Sequence, residues 1–323
     1  MNDLLLALDY GGTKHAAALL RVGGRAWAAH ARVQSPPGAD AAHDQVTMLR
    51  MARGLLAQVP GRLAAIGVSF GGPVDAARGL VRLSHHIPGW NEIPLADRLQ
   101  AELDAPAAVD NDANVAALGE WRFGAGQGSA SLLYVTISTG IGGGWVLGGR
   151  IWGGTDGMAG EIGHMIVRPG GALCACGRRG CTEAEASGWA IAAKARARLD
   201  EGRLTKDEGD RLLALAGGHA AAVTAQMVAQ AAAKGDTLAR SVLDEAAHAL
   251  GAGLGTAISL MNPERIVLGG GVTKSGERWW RTVRSETRAT AFDQSRADIV
   301  PAFLGDDAPL WGAIALAEAL IRE

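Results

Sequence analysis

The chain opens on two apolar runs separated by glycine. Residues 3–20, DLLLALDYGGTKHAAALL, read as a strand, a glycine turn and a returning strand. Residues 131–149, SLLYVTISTGIGGGWVLGG, follow the same plan. This weak internal similarity predicts two related halves, each begun by a hairpin whose turn is bare backbone. Further strands are predicted at 63–70, 107–110 and 265–271. Helical spacing marks 114–123, with Asn111 or Asp112 as its N-cap, and 308–321 at the end of the chain. A long helix is predicted over 237–261, where Leu238, Val242, Ala246, Ala249, Leu250, Leu254, Ile258 and Met261 share one face and Asn262-Pro263 stops the run. The alanine-rich span 215–233 lacks proline and reads as helix rather than linker. Strands alternating with helices give an α/β class.

Composition narrows the picture. A length of 323 residues suggests two domains. With 48% hydrophobic and 20% charged residues the chain can bury a sizeable core, and a net charge of -2 offers no surface for a polyanion, so nucleic acid is not expected as a partner. The N-terminal MNDLLLALDYGG lacks the features of a secretory signal. No apolar run approaches the about 20 residues of a membrane span. The expectation is a cytoplasmic protein without a membrane partner.

All three cysteines, Cys174, Cys176 and Cys181, fall within eight residues, ten residues after His164. Disulfides are rare in the cytoplasm, and the spacing C-x-C-x4-C is not the C-x-x-C of redox proteins. Three thiolates and an imidazole are the donor set of a closed, tetrahedral, structural zinc site. Glycines on both sides allow tight turns, and Arg178 and Arg179 are placed to offset thiolate charge. The alternative is three reduced cysteines that merely lie close together. The same loop carries Glu161 and Glu183, which read either as two acceptors for polyol hydroxyls or as solvated surface charges.

DYGGTK (9–14) and STGIGGG (138–144) match neither the Walker A pattern nor the dinucleotide fingerprint. Their exposed backbone N–H groups and threonine hydroxyls suit phosphate oxygens, and Asp9 could hold Mg2+ through water. LGGGV (268–272) follows a strand and offers adenosine a bare backbone. Each is also an ordinary turn when taken singly. In VDNDANVAALGEW (109–121), Asp110 and Asp112 stand where a strand gives way to a helix. A carboxylate there is held ionised by the helix dipole and could accept a proton from an attacking hydroxyl, or could simply cap the helix.

Together these residues resemble the ROK family, named for its repressors, open reading frames and kinases. The likeness spans nearly the whole chain. GEIGH with C-x-C-G-x-x-G-C-x-E-x-x-x-S-G (160–188), DYGGTK, NDAN, TGIGGG, PERIVLGGGV and GDDAPLWGAIALA (305–317) each match a family block in order. The resemblance implies an actin-like ATPase (ribonuclease H-like, hexokinase) fold of two domains around a cleft. The expected division is a small domain over 1–112, joined by the C-terminal helix of about 306–323, and a large domain over 113–305 with the zinc loop. By the same resemblance Asp112 is the catalytic base. Asn111, Glu161, His164 and Glu183 contact sugar hydroxyls, His164 serving the metal as well. Asp9, Gly11, Gly12 and Thr13 form the first phosphate motif, Thr139 and Gly140 the second, and Gly269, Gly270 and Gly271 the adenosine-side turn.

The chain departs from the family pattern in places. Ser69 and Gly71, in GVSFGGPVD (67–75), stand where glycine and proline are common, and His86 stands for asparagine in HIPGW. These changes are expected on sugar-side loops. Ser138 replaces a glycine before the second phosphate threonine. The implied activity is ATP-dependent phosphorylation of the primary hydroxyl of a hexose, glucose first. The other readings are an N-acylhexosamine kinase, a fructokinase, or a sugar-responsive regulator. The regulators carry a helix-turn-helix ahead of the first phosphate motif, and eight residues before Asp9 leave no space for one. Polyphosphate is a second candidate donor. The implied cofactors are ATP, Mg2+ and structural Zn2+, and a homodimer or homotetramer is expected.

Overall fold

The structure is a computed structural model that describes residues 3–84, 87–201 and 208–322. His86 therefore lies outside the described residues. The chain forms two compact units. Unit 1 comprises Met1–Tyr134, Gly144–Gly160 and Ala302–Glu323, and unit 2 comprises Val135–Gly143 and Glu161–Pro301.

The first sheet is built from β1 (Asp3–Tyr10), β2 (Lys14–Arg21), β3 (Ala29–Gln34), β4 (Arg62–Phe70) and β7 (Ala107–Asn111), with the two-residue strands β5 (Val74–Asp75) and β6 (Leu80–Val81) paired beside it in sequence. Its order is β3-β2-β1-β4-β7. The predicted hairpin is present: β1 and β2 pair antiparallel up to Tyr10 opposite His15. β1 then pairs parallel with β4, and β4 with β7. Both faces of this sheet are covered, which is why β1 reads as an unbroken apolar run. Leu4, Leu6, Leu8 and Tyr10 belong to one core cluster, with Met48 and Leu55 of α1 (Ala41–Leu56) and Leu95 and Leu99 of α2 (Leu95–Leu103). Leu5 and Ala7 belong to the other, with Val115 of α3 (Asp112–Phe123) and Leu310, Ala313, Ile314 and Ala317 at the chain's end. Period-two alternation puts Asp9 on that second face.

In unit 2, α4 (Thr182–Ala186), α5 (Gly188–Asp200), α6 (Asp210–Leu215), α7 (Ala225–Ala233), α8 (Thr237–Met261) and α9 (Glu277–Thr290) accompany β11 (Arg265–Gly269) and β12 (Asp298–Pro301). β8 (Ser131–Ile137), β9 (Ile141–Leu147) and β10 (Arg150–Ile151) complete a second sheet of order β10-β9-β8-β11-β12. Each sheet thus places its first strand third, flanked by a hairpin partner and a later strand. The internal similarity between the two hairpins is a similarity of topology.

α8 spans the predicted 237–261, and Asn262 closes it in the left-handed conformation at φ 45°. The helix predicted over 215–233 is not continuous. It holds the end of α6, a 3-10 turn at Ala220–Ala222 and α7, because Gly217 and Gly218 adopt positive φ and break the run after α6. The final helix α10 (Ala308–Leu320) packs on α3 and β4, which is why α3 is grouped with unit 1 rather than beyond residue 112. A Cβ at Gly312 would lie 1.7 Å from the Val115 carbonyl oxygen, so only glycine lets these two helices approach so closely.

Candidate active site

In unit 1 the functional side chains gather at the C-terminal ends of β1, β4 and β7. β7 runs into α3 at Asn111, the N-cap, whose Oδ1 accepts from Ala113 N at 3.0 Å and from Asn114 N at 3.5 Å. The capping role predicted for Asn111 or Asp112 thus falls to Asn111. Its Nδ2 donates to the Gly72 carbonyl at 3.1 Å. Asp110 is buried and accepts from Asn114 Nδ2 at 3.0 Å and from Asn111 N at 2.7 Å, so it serves the backbone. Asp112, the first helical residue, accepts from Ala113 N at 2.8 Å, with the Asn111 side chain also acting on its carboxylate, and keeps surface open to solvent. Protein nevertheless crowds around its carboxyl. That burial, with the charge of Asp9 second, pushes it up to about 6.

Asp9 is the penultimate residue of β1, ahead of Gly11 and Gly12. Gly11 N donates to the Lys14 carbonyl at 3.2 Å and closes the hairpin, while Thr13 presents its carbonyl to Ser35 N at 2.9 Å. Nothing lies within 4 Å of a Cβ built on Gly12, so this turn is open on one side. Ser69 does not lie on the loop expected for it, whereas Gly71 falls in the bend just past β4. Ser69 lies within β4 and its Oγ donates to Asp9 Oδ1 at 2.8 Å. A Cβ at Gly71 would lie 3.3 Å from the Tyr10 carbonyl and 3.7 Å from Asp112 Oδ2. Both departures therefore border the first glycine turn. For Ser69 local pattern could not reveal this, because the β1–β4 register brings it there.

In unit 2, the ligand atoms of His164, Cys174, Cys176 and Cys181 all lie within 4.8 Å of one another. His164 Nδ1 is 3.7 Å from Cys174 Sγ, and Cys176 Sγ is 3.6 Å from Cys181 Sγ. A tetrahedron with metal–sulfur bonds of about 2.3 Å has edges of about 3.8 Å, so the four donors fit one ion. Arg178 hydrogen bonds to Cys176 and lowers its thiol to about 6, in keeping with the expected charge offset. Burial pushes Cys181 up to about 12. Arg179 donates instead to the Gly171 carbonyl at 3.3 Å.

Glu161 and His164 bracket a single 3-10 turn over Ile162–His164, and His164 Nε2 stands 3.9 Å from Glu161 Oε2. Glu183, in α4, accepts from Ile141 N at 2.9 Å, just past the second glycine turn. A Cβ at Gly140 would lie 2.5 Å from that carboxylate. Gly188 N and Trp189 N donate to the Ser138 and Thr139 carbonyls at 2.8 Å and 3.2 Å. The segment after Cys181 therefore carries both Glu183 and the backing of the second glycine turn. Sequence reasoning missed Glu185, which is buried and accepts from Ala172 N at 2.8 Å, from Arg168 at 3.3 Å and from Lys194 at 3.5 Å, bracing the cysteine loop from beneath. Its place two residues beyond Glu183 was the available signal.

A pocket of about 880 Å³ opens on the other side of that turn. Thr139, Trp189, Gln226, Gln230, Gly271 and Lys274 are among its walls. Of the three glycines assigned to the adenosine side, Gly271 lines the pocket, Gly269 ends β11, and Gly270 turns at φ 89° against the Ile137 carbonyl, where a Cβ would come within 2.3 Å. An apolar slot with a few amides and an ammonium group, beside a threonine turn, suits a nucleotide.

The model of the ROK family matches residues 5–320. The chain belongs to the ROK family. Among curated ROK relatives, a glucokinase of Halalkalibacterium halodurans is 40% identical over 252 residues, 76% of this chain and 74% of the relative. A glucokinase of Streptomyces coelicolor is 33% identical over 317 residues, 97% of each chain. The solved ROK glucokinase of Streptomyces griseus, in complex with glucose and AMPPNP, superposes with a TM-score of 0.81 at 34% identity, covering 98% of this chain and 99% of that one. The expected ROK fold, of the actin-like ATPase and hexokinase type, is thereby established.

Proposed function

We propose that the chain is an ATP-dependent sugar kinase that phosphorylates the primary hydroxyl of a hexose, with glucose as its sugar. The observation that carries this reading is the 880 Å³ pocket bordered by Thr139 and Gly271, in a chain related to glucokinases over most of its length. Asp112 takes the proton of the attacking hydroxyl. The sugar oxygen forms a bond to the γ-phosphorus, the bond from that phosphorus to the bridging oxygen breaks, and ADP leaves with its electrons. Asn111, Glu161, His164 and Glu183 are assigned to sugar hydroxyls. For Glu183 this leaves the oxygen not used by Ile141. The amides of Gly12, Thr13, Thr139 and Gly140 and the two threonine hydroxyls are assigned to phosphate oxygens, Gly11, whose amide closes the hairpin, keeps the turn bare beside them, Asp9 would hold Mg2+, and Gly269 to Gly271 shape the adenosine side. Mg2+ neutralises charge on the transferring phosphoryl group. Zn2+ suits His164, Cys174, Cys176 and Cys181, whose four positions leave no open site, so its part is to hold the loop.

Among the described residues no helix is long and apolar enough to cross a membrane. A cytoplasmic homodimer or homotetramer completes the proposal, and light scattering measures the oligomer directly. The activity is tested by coupled ADP release with MgATP over hexoses and N-acylhexosamines, with polyphosphate as the alternative donor. Turnover highest with glucose and MgATP is the expected result. No turnover with any sugar, alongside sugar binding by calorimetry, would instead fit a regulator.

A further inference from the structure

The parallel pairing of β1 and β4 sets Asp9 opposite Ser69. Ser69 is fully buried and Asp9 nearly so. The bond from Ser69 Oγ to Asp9 Oδ1, at 2.8 Å, is the one hydrogen bond the Asp9 carboxylate receives among the described residues. Lys14, His15 and Arg32 act on the charge of Asp9 from nearby, yet none of them bonds it. A carboxylate has about four lone-pair sites. Ser69 occupies one and leaves the second oxygen free for a ligand.

We infer that Ser69 is a positioning residue for the phosphate donor: it holds the Asp9 carboxylate in one orientation, with its second oxygen available to magnesium-bound nucleotide. The inference rests on the proposed kinase reading, in which Asp9 belongs to the first phosphate motif. Ser69 touches no substrate and acts through Asp9 alone. Its effect therefore falls on the donor and not on the sugar.

The test uses the full chain and three variants, Ser69→Ala, Ser69→Cys and Ser69→Thr. Calorimetry with MgATP reads donor binding without requiring turnover, and steady-state kinetics give KM for MgATP and for glucose. Ser69→Cys nearly keeps the volume of serine with a weak donor, and Ser69→Thr keeps the hydroxyl. The expected result is MgATP binding weakened about tenfold in Ser69→Ala and Ser69→Cys, the weight of one hydrogen bond to a charged group. KM for glucose should stay within about twofold, and Ser69→Thr should bind MgATP like the parent. Should Ser69→Thr fail to fold, the Ser69→Cys result still decides. MgATP binding unchanged in Ser69→Ala and Ser69→Cys, or glucose weakened as much as MgATP, overturns the inference. Absence of sugar turnover in the parent chain counts against the kinase reading instead, and the MgATP titration still reports on Ser69.

Discussion

Asp112 has the environment a general base needs near neutral pH. Crowding and the charge of Asp9 raise its carboxyl to about 6, while the Ala113 amide pulls the other way. A base works only when deprotonated, so kcat/KM for the sugar should climb with pH through about 6 and level off above it. A pH–rate profile with its acid limb near pH 4 would separate that limb from Asp112. Replacing Asp112 with Asn keeps the shape and removes the base. Turnover should fall by about 10²–10⁴-fold, with sugar binding by calorimetry nearly unchanged. Near-normal turnover would take Asp112 out of this role. The place of Asp112 at the start of α3 was legible because a helix start is written in consecutive residues. The Asp9–Ser69 pair was not, since 60 residues separate the two in sequence and only the β1–β4 register joins them. Gly71, expected on a sugar-side loop, lies just past β4 and beside Asp112.

Among the elements, the strongest periodic signals survived folding and the composite ones did not. The hairpins, α3, α8 and α10 were readable because each carries its own pattern and its own stop. β3 went unread, since only Ala29 and Ala31 are half-buried along it and the rest of the strand is exposed. α1 was passed over as well, although it anchors a buried polar network. Asp44 accepts from Trp90 Nε1 at 3.1 Å and pairs with His15 Nε2 at 2.8 Å, all three side chains being buried. This ties α1, β2 and the segment before α2 together. Asp44→Ala strands two buried polar groups and opens a small void, and should cost about 3 kcal/mol. The check is the denaturation midpoint of the variant against the parent. Asp44→Asn keeps partners for both neighbours and should lose less. Equal stability of all three chains would mean the network contributes nothing.

For the whole molecule, the repeated sheet order gives each half a hairpin with a glycine turn, and the proposed function assigns both turns to phosphate. The cysteine loop serves more than the sugar glutamates assigned to it from sequence. It is braced by Glu185 and runs directly into Glu183, Gly188 and Trp189, which back the second turn. Trp189 also packs against Cys174, Cys181 and Ala184 while lining the 880 Å³ pocket. Stripping the metal with a strong chelator should therefore weaken MgATP binding as well as sugar binding and lower the melting temperature. Added zinc should restore all three, with one ion bound per chain. Sugar affinity lost with donor affinity intact would show that the loop serves the sugar alone.

The shared support of Glu183 and the second phosphate turn bears on how such a chain can change. A substitution that shifts Glu183 toward a new sugar also shifts the Ile141 amide that it holds. Selection for a new acceptor at this segment is then bound to disturb the donor. Variants that alter sugar preference cheaply are to be sought at Glu161, whose carboxylate, among the described residues, holds no amide of a glycine turn, while changes at Glu183 should arrive with compensating changes around Gly140.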